Sequence, residues 1–542
     1  MGTVLLMLRA DDPGHDVDWV VIGSGFGGSV AALRLAEKGY SVLVLEQGRR
    51  WRDEDFAASA WETTKTQWVP WLGMRGIMKI TPLRHVNVLS GVGVGGGSLT
   101  WANTAYVPHS DDFYGHEQWA GLADWRAELE PHYATAQRML GVCEPPFDGP
   151  SEQLMRDLAA DLGVPGSYRT TPVAVFMGEP GVEVPDPYFG GDGPARTGCI
   201  RCGLCVIGCR VGAKNTLAKN YLPLAERLGA QVRDGRRVTA LRPLGGGDGS
   251  GGWEITHERT APALRRGQQV VRARGVVVAG GTLGTNELLL RCRRAGLLTR
   301  LSPRLGECVR TNSEAITAST AIDPRADYTT DVTITASVYP DEQTHITNNT
   351  YGAGGDGSNL LFVPLVGDGS RLTRPLKLLG ALARRPLTGL RSFRPNGWSR
   401  RTVIFTTMQS VDSSLRLVLR ARRLGRGVVL DTVAGTGTPA ASFLPVANKL
   451  TKLAARRMGG FAQSTILDVF RAVPTTAHFL GGAVIGADES SGVVDRAQRA
   501  FGYENLIVCD GSVMPANPGV NPSLTITALA ERAIGMVEPR PS

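Results

Sequence analysis

Residues 18–46, DWVVIGSGFGGSVAALRLAEKGYSVLVLE, spell a strand, a glycine turn, an amphipathic helix and a second strand. The stretch 18–22, apolar from Trp19 onward, suits a buried strand, and the small and apolar residues of 29–40 recur at helical spacing. Gly23, Gly25 and Gly28 fit the G-x-G-x-x-G pattern, and Glu46 stands eighteen residues beyond the last of them. Gly23 permits the turn, Gly25 lets a pyrophosphate approach the backbone, and Gly28 lets helix and strand pack. A helix that begins there offers free N–H groups and positive potential to phosphates. Glu46 is placed to accept hydrogen bonds from ribose hydroxyls. The unit predicts a dinucleotide and leaves NAD and FAD both open.

Three later segments extend the same frame. Residues 91–103, GVGVGGGSLTWAN, carry five glycines in the seven positions from Gly91 to Gly97, which suggests a flat ring laid against the chain. Residues 276–290, VVVAGGTLGTNELLL, read as a strand, a glycine turn and a helix belonging to the same sheet. LIVCDG (506–511) reads as a strand ending at Asp510, and a loop then leads to NPSLTITALAERA. Asn521 followed by Pro522 predicts a helix start, with Asn as N-cap and Pro at the first helical position. Such a helix aims its positive end at whatever the glycine loop holds, and a reduced flavin carries negative charge that suits it.

Bulk properties narrow the class. A chain of 542 residues exceeds one ordinary core. No apolar run reaches the roughly 18 residues of a membrane span, and residues 3–8 are too short for a signal-peptide core. Eight cysteines, four of them bunched, point to a reducing, cytoplasmic setting rather than a disulfide framework. The net charge of +9 equals the nine Lys and Arg of residues 371–401, a stretch without acids. No nucleic-acid motif accompanies it, so nucleic acid is not an expected partner.

These segments, in this order, resemble the glucose-methanol-choline (GMC) flavoprotein oxidoreductases over about residues 18–535. Within that family the chain is similar to the actinobacterial cholesterol-oxidase-like branch. The likeness is carried by GSGFGGSVAALRLAEKGY, GVGVGGGSLTWAN, PDPYFGG (185–191), PARTGC and GAKNTL (194–217), RTNSE (310–314), HFLGG (478–482) and GVNPSLTITALAER (519–532). The resemblance implies an α/β fold: a Rossmann-like FAD-binding domain from 16–110, 195–310 and 465–542, and a discontinuous α+β substrate domain from 111–194 and 311–464. FAD is expected to be non-covalent, since no His lies between Gly91 and Val107 to carry a covalent link. Implied cofactor-binding positions are Gly23, Gly25, Phe26, Gly27, Gly28, Glu46, Gly95, Gly96, Gly97, Ser98, Asn103, Val238, Gly280, Asp510, Gly511, Asn521 and Pro522.

The implied reaction is oxidation of a secondary alcohol on a bulky, apolar, sterol-like skeleton, with hydride passing to flavin N5 and electrons to O2 or a carrier. Such a catalyst needs a group that hydrogen-bonds the hydroxyl and helps carry its proton. The family places a His and a second His or Asn over the flavin, and the motif positions here are His478 and Asn521. A natural-product alcohol remains a second substrate reading. Bifunctional relatives also isomerise a steroid double bond with a carboxylate base, for which Asp356 and Glu314 are the candidates. An ion pair with a nearby Arg is the plainer reading of Glu314.

Two features stand outside that scheme. GCIRCGLCVIGCRVG (198–212) holds Cys199, Cys202, Cys205 and Cys209 at the C-x2-C-x2-C-x3-C spacing of a bacterial ferredoxin, with Arg210 where proline usually follows. An iron–sulfur cluster relaying electrons from the flavin is one reading, and a metal-free cysteine loop is another. Residues 374–386 read as a Pro-bounded basic helix with its leucines on one side and Lys377, Arg384 and Arg385 on the other. It is a candidate for peripheral contact with an anionic membrane, against the plainer reading of a solvated helix.

Overall fold

The computed structural model describes residues 14–146, 148–260, 267–329, 331–422, 427–437 and 441–541. Residues 3–8, considered above as a leader, lie outside that set. The strand Val17–Ile22 is buried along its whole length and sits in the middle of a seven-stranded sheet. It pairs in parallel with Val42–Leu45 on one side and with Gln268–Val278 on the other. Leu506–Val508 and Gln231–Arg233 extend the parallel set. Arg236–Pro243 and Trp253–Arg259 add an antiparallel extension. Strands covered on both faces are mostly apolar, which is why 20–22 and 276–278 read as unbroken Val and Ile runs.

A second seven-stranded sheet is antiparallel, in the order 362–364, 460–465, 315–321, 402–409, 344–349, 336–341 and 169–170. The helices Pro150–Asp161 and Pro445–Arg457 contribute Leu158 and Leu450 to a core with Ile346, Val403 and Phe405 from one face of this sheet. Its residues alternate, so Thr347 and Ile404 point the other way. Ile404 packs there with Phe362 and Trp398.

One helix between the two sheets packs on the first. The helix Trp125–Met139, grouped by sequence with the substrate part, buries Trp125, Leu129 and Tyr133 in the core of the first sheet. Tyr133 Oη bonds Thr525 Oγ1 at 3.1 Å and Arg532 Nε donates to Glu128 at 2.7 Å, tying this helix to Ser523–Gly535.

Candidate active site

The glycine turn is built by close backbone approach. A Cβ at Gly27 would stand 1.7 Å from the Cys509 carbonyl oxygen, one at Gly28 2.1 Å from that of Gly23, and one at Gly23 2.3 Å from that of Ala279. Gly25 differs: nothing lies within 4 Å of its Cβ position. The helix Phe26–Glu37 begins behind it with no side chain capping its N-terminus. Open space before an uncapped helix start suits a pyrophosphate.

The glycines of the second cluster also make close contacts between chain segments. Gly91 meets the backbone of Gly96 and Gly97, Gly93 faces Leu99, and Gly96 meets Gly25 Cα. This presses the 91–97 loop onto the dinucleotide turn. Ser24, which no motif singled out, fastens the two: its Oγ donates to Glu46 Oε2 at 2.8 Å and accepts from Gly95 N at 3.1 Å. Ser98 Oγ donates to the Gly95 carbonyl at 2.7 Å, and Gly97 lies over the Phe26 ring.

Glu46 is buried, which pushes its carboxyl up, while hydrogen bonds from Gly48 and Ser24 oppose that shift. Its oxygens therefore hold the turn, beyond the ribose role expected of it. Asp510 is likewise pushed up by burial and is taken up by Ser512 and by Thr285 at 2.5 Å, so its carboxylate is a staple for the loop. Gly280 precedes the helix Gly281–Arg294 and gives its N–H to Thr285, and Gly511 packs against Leu480 and Ile526. Val238 lies on the antiparallel extension, paired with His257. Asn103 is fully buried in a left-handed conformation, with both amide atoms unpartnered. A buried amide without partners calls for a ligand, so these residues fit a bound FAD.

The second centre forms where three sequence motifs meet. Arg310–Thr311 pairs antiparallel with Phe479–Leu480, which brings Asn312 and Glu314 beside His478. Asn312 Nδ2 also donates to the Val520 carbonyl at 2.8 Å, drawing in the 519–521 turn. Glu314 Oε1 lies 2.5 Å from His478 Nδ1, off the axis of a linear hydrogen bond, and Oε2 accepts from Ala477 N at 3.0 Å. Asn521 Nδ2 is 3.0 Å from His478 Nε2. Only a neutral ring with its proton on Nδ1 lets Nε2 accept from Asn521. Asn312 Nδ2 lies 3.2 Å from Nδ1 and gives one of its two N–H groups to the Val520 carbonyl.

Asn521 does not cap a helix. The helix Ser523–Gly535 starts later, with Pro522 in the cap position and no side-chain cap. The Asn521 side chain is thereby free for His478, and its Oδ1 is buried without a partner. Glu314 pairs with His478 rather than with an Arg; Arg310 is paired with Asp412. Asp356 accepts from Gly397 N and from Ser399 N and Oγ, which occupies it as a loop staple. Both candidate carboxylates are thus engaged by neighbours, Glu314 by His478 and Ala477 and Asp356 by its loop. A second buried histidine, His345, is pushed down to about 3 by burial and stacks on Tyr339 at 4.6 Å, so it stands neutral.

The cysteine loop departs from the iron–sulfur reading. Among the described residues no group of three or more His, Cys, Asp or Glu is arranged to hold a metal ion. Cys199, Cys205 and Cys209 instead pack as small apolar side chains against Val173, Val175, Ala213 and Val332. Burial pushes the Cys199 thiol up to about 12 and the Cys202 thiol up to about 11, which keeps both protonated. The tight spacing serves docking of the loop: a Cβ on Gly208 would strike the Phe56 ring, and Gly203 meets the backbone of Gly352. Arg210 donates to the carbonyls of Glu54 and Phe56. Lys214, fully buried and pushed down to about 8 by desolvation, holds the carbonyls of Leu99, Trp101 and Cys205 within 2.9 Å. It joins this loop to the glycine loop.

Comparison with known proteins gives the family. Residues 18–361 match the model of the FAD dependent oxidoreductase family, and residues 407–530 match that of the GMC oxidoreductases. The chain is 46% identical over 533 residues to a cholesterol oxidase of Mycobacterium tuberculosis, covering 96% of this chain and 91% of that one. It is 41% identical to a cholesterol oxidase of Acinetobacter baumannii, covering 96% and 94%. Among solved structures, pyridoxine 4-oxidase from Mesorbium loti shares the fold, with a TM-score of 0.60 at 16% identity over 97% of this chain and 100% of that one.

Proposed function

We propose, for a chain that belongs to the GMC family of FAD-dependent alcohol oxidoreductases, that it oxidises the secondary alcohol of a sterol-like substrate to the ketone, with dioxygen as electron acceptor. The observation that carries the chemistry is the His478–Asn521 pair, with Nε2 and Nδ2 3.0 Å apart and Asn521 Oδ1 left without a partner. A substrate hydroxyl inserted there donates its proton to Nε2 and accepts from Asn521 Nδ2, replacing the bond between the two side chains. His478 then acts as general base, and Asn521 fixes the oxygen. Glu314 beside Nδ1 holds the ring in the tautomer that leaves Nε2 free, and it offsets the charge the ring gains. When bound, the flavin supplies the acceptor for the hydride of the carbinol carbon.

The sterol class and the acceptor are supported by the likeness to cholesterol oxidases. We assign the FAD part to 16–110, 195–310 and 465–542 together with helix 125–139, and the substrate part to the remainder of 111–194 and to 311–464. Non-covalent FAD is supported by the absence of a His between Gly91 and Val107. A reducing, cytoplasmic setting is supported by eight unpaired cysteines. Among the described residues no helix is long and apolar enough to cross a membrane.

The test is anaerobic titration of the purified holoprotein with a 3-hydroxysteroid dispersed in detergent, following bleaching of the flavin. Sterol should bleach it, with a sugar and a short primary alcohol as controls. Bleaching by another alcohol class but not by the sterol overturns the substrate assignment.

A further inference from the structure

The helix Thr373–Arg384 carries two apolar stripes where its sequence suggested one. Leu378 is buried and, with Leu382, packs on Val363, Val366 and Val469, which fastens the helix to the second sheet. Arg374 is buried on that side and donates to the carbonyls of Asp468 and Ser442. Leu372, Leu376 and Leu379 lie about 100–160° further round the helix, and they face solvent. The following helix, Pro386–Ser392, continues the pattern with Leu387 and Leu390, and Phe393 ends it. Exposure of these six residues runs from 51% at Phe393 to 79% at Leu372. Single exposed apolar residues are ordinary; five leucines and a phenylalanine on and flanking two consecutive helices that pack on each other are not.

The charge around them is one-sided. No Asp or Glu occurs from residue 369 to residue 411. Arg371, Arg384, Arg385, Arg391 and Arg394 are exposed, and among the described residues none of them forms an ion pair. A protein partner for this face would have to be both apolar and strongly acidic. An anionic bilayer offers that combination over any area, with headgroups for the guanidinium groups and acyl chains for the leucines.

We propose that the helix pair 373–392 is a docking surface for anionic phospholipid bilayers, lying in the interface with its exposed leucines inserted and its arginines on the headgroups. Its geometry is independent of the substrate. Only its purpose, taking a sterol from the bilayer in which it resides, rests on the reading above.

Co-sedimentation of the holoprotein with phosphatidylcholine vesicles, with and without phosphatidylglycerol, tests this without any turnover. The protein should bind the anionic vesicles, and added salt should release it. The Arg384→Glu/Arg385→Glu double variant should lose roughly 30-fold or more in vesicle affinity. Leu376→Ser/Leu379→Ser should bind weakly even at low salt. Both should keep their flavin, and flavin bleaching by detergent-dispersed alcohol should match the wild type, which separates docking from the substrate assignment. Absence of binding to anionic vesicles, or binding unchanged in both variants, overturns the proposal. So does sedimentation velocity showing a dimer that Leu376→Ser/Leu379→Ser converts to monomer, since a second copy would then cover the face.

Discussion

Glu314 Oε1 stands 2.5 Å from His478 Nδ1, and both side chains are buried in the seam where Arg310–Thr311 pairs with Phe479–Leu480. A carboxylate there decides which ring nitrogen carries the proton. Glu314→Gln should keep its flavin and its KM for the alcohol while kcat falls on the order of 10²-fold, because the ring loses its orientation and charge partner. Steady-state kinetics beside the flavin absorbance spectrum measure this. A rise in KM with unchanged kcat would instead place Glu314 on the substrate.

Asn521→Ala separates two roles for one residue. If Asn521 capped the helix 523–535, its loss would cost about 1 kcal/mol of stability. Because Pro522 occupies the cap position, the variant should unfold at the wild-type temperature while its flavin reduction rate drops by ~10²-fold. Calorimetry and stopped-flow reduction together distinguish the two.

Gly25 and Gly27 should respond oppositely to one methyl group. Gly25→Ala has nothing within 4 Å to strike, so it should fold and yet bind FAD weakly, because the methyl enters the space proposed for the pyrophosphate. Gly27→Ala places its Cβ 1.7 Å from the Cys509 carbonyl oxygen and should fail to accumulate as folded protein. Soluble yield and FAD titration of the apoproteins check this pair.

The cysteine loop is expected to act as packing. Anaerobically purified protein should contain flavin without stoichiometric iron or sulfide. Cys202→Ser should leave both flavin reduction and reoxidation by oxygen unchanged. Iron near cluster stoichiometry, lost in that variant along with electron transfer, would restore the ferredoxin reading.

What was legible in the sequence follows how local the determining contacts are. The unit 18–46 can be read directly, because its strand, turn, helix and strand contact one another and Gly28 packs on Gly23 within the turn. Asn521 and His478 were marked by motif, but the cap role given to Asn521 failed: the turn at 519–521 is held by Asn312, more than two hundred residues away. Glu314 finds His478 rather than an Arg for the same reason, since a two-residue strand pairing sets its partner. The leucines of 374–386 were read as one stripe because helical spacing alone cannot show that Leu378 turns inward while Leu376 and Leu379 turn out. In the cysteine loop, ligand spacing and tight-loop packing look alike until Phe56, Gly352 and Val173 are seen around it.

The most direct test of the account is the anaerobic rate of flavin reduction by a sterol in His478→Gln. The variant should hold its flavin, bind the alcohol, and be reduced ~10²–10⁴-fold more slowly than the wild type. Bleaching at a near-normal rate would contradict it and leave His478 a structural residue.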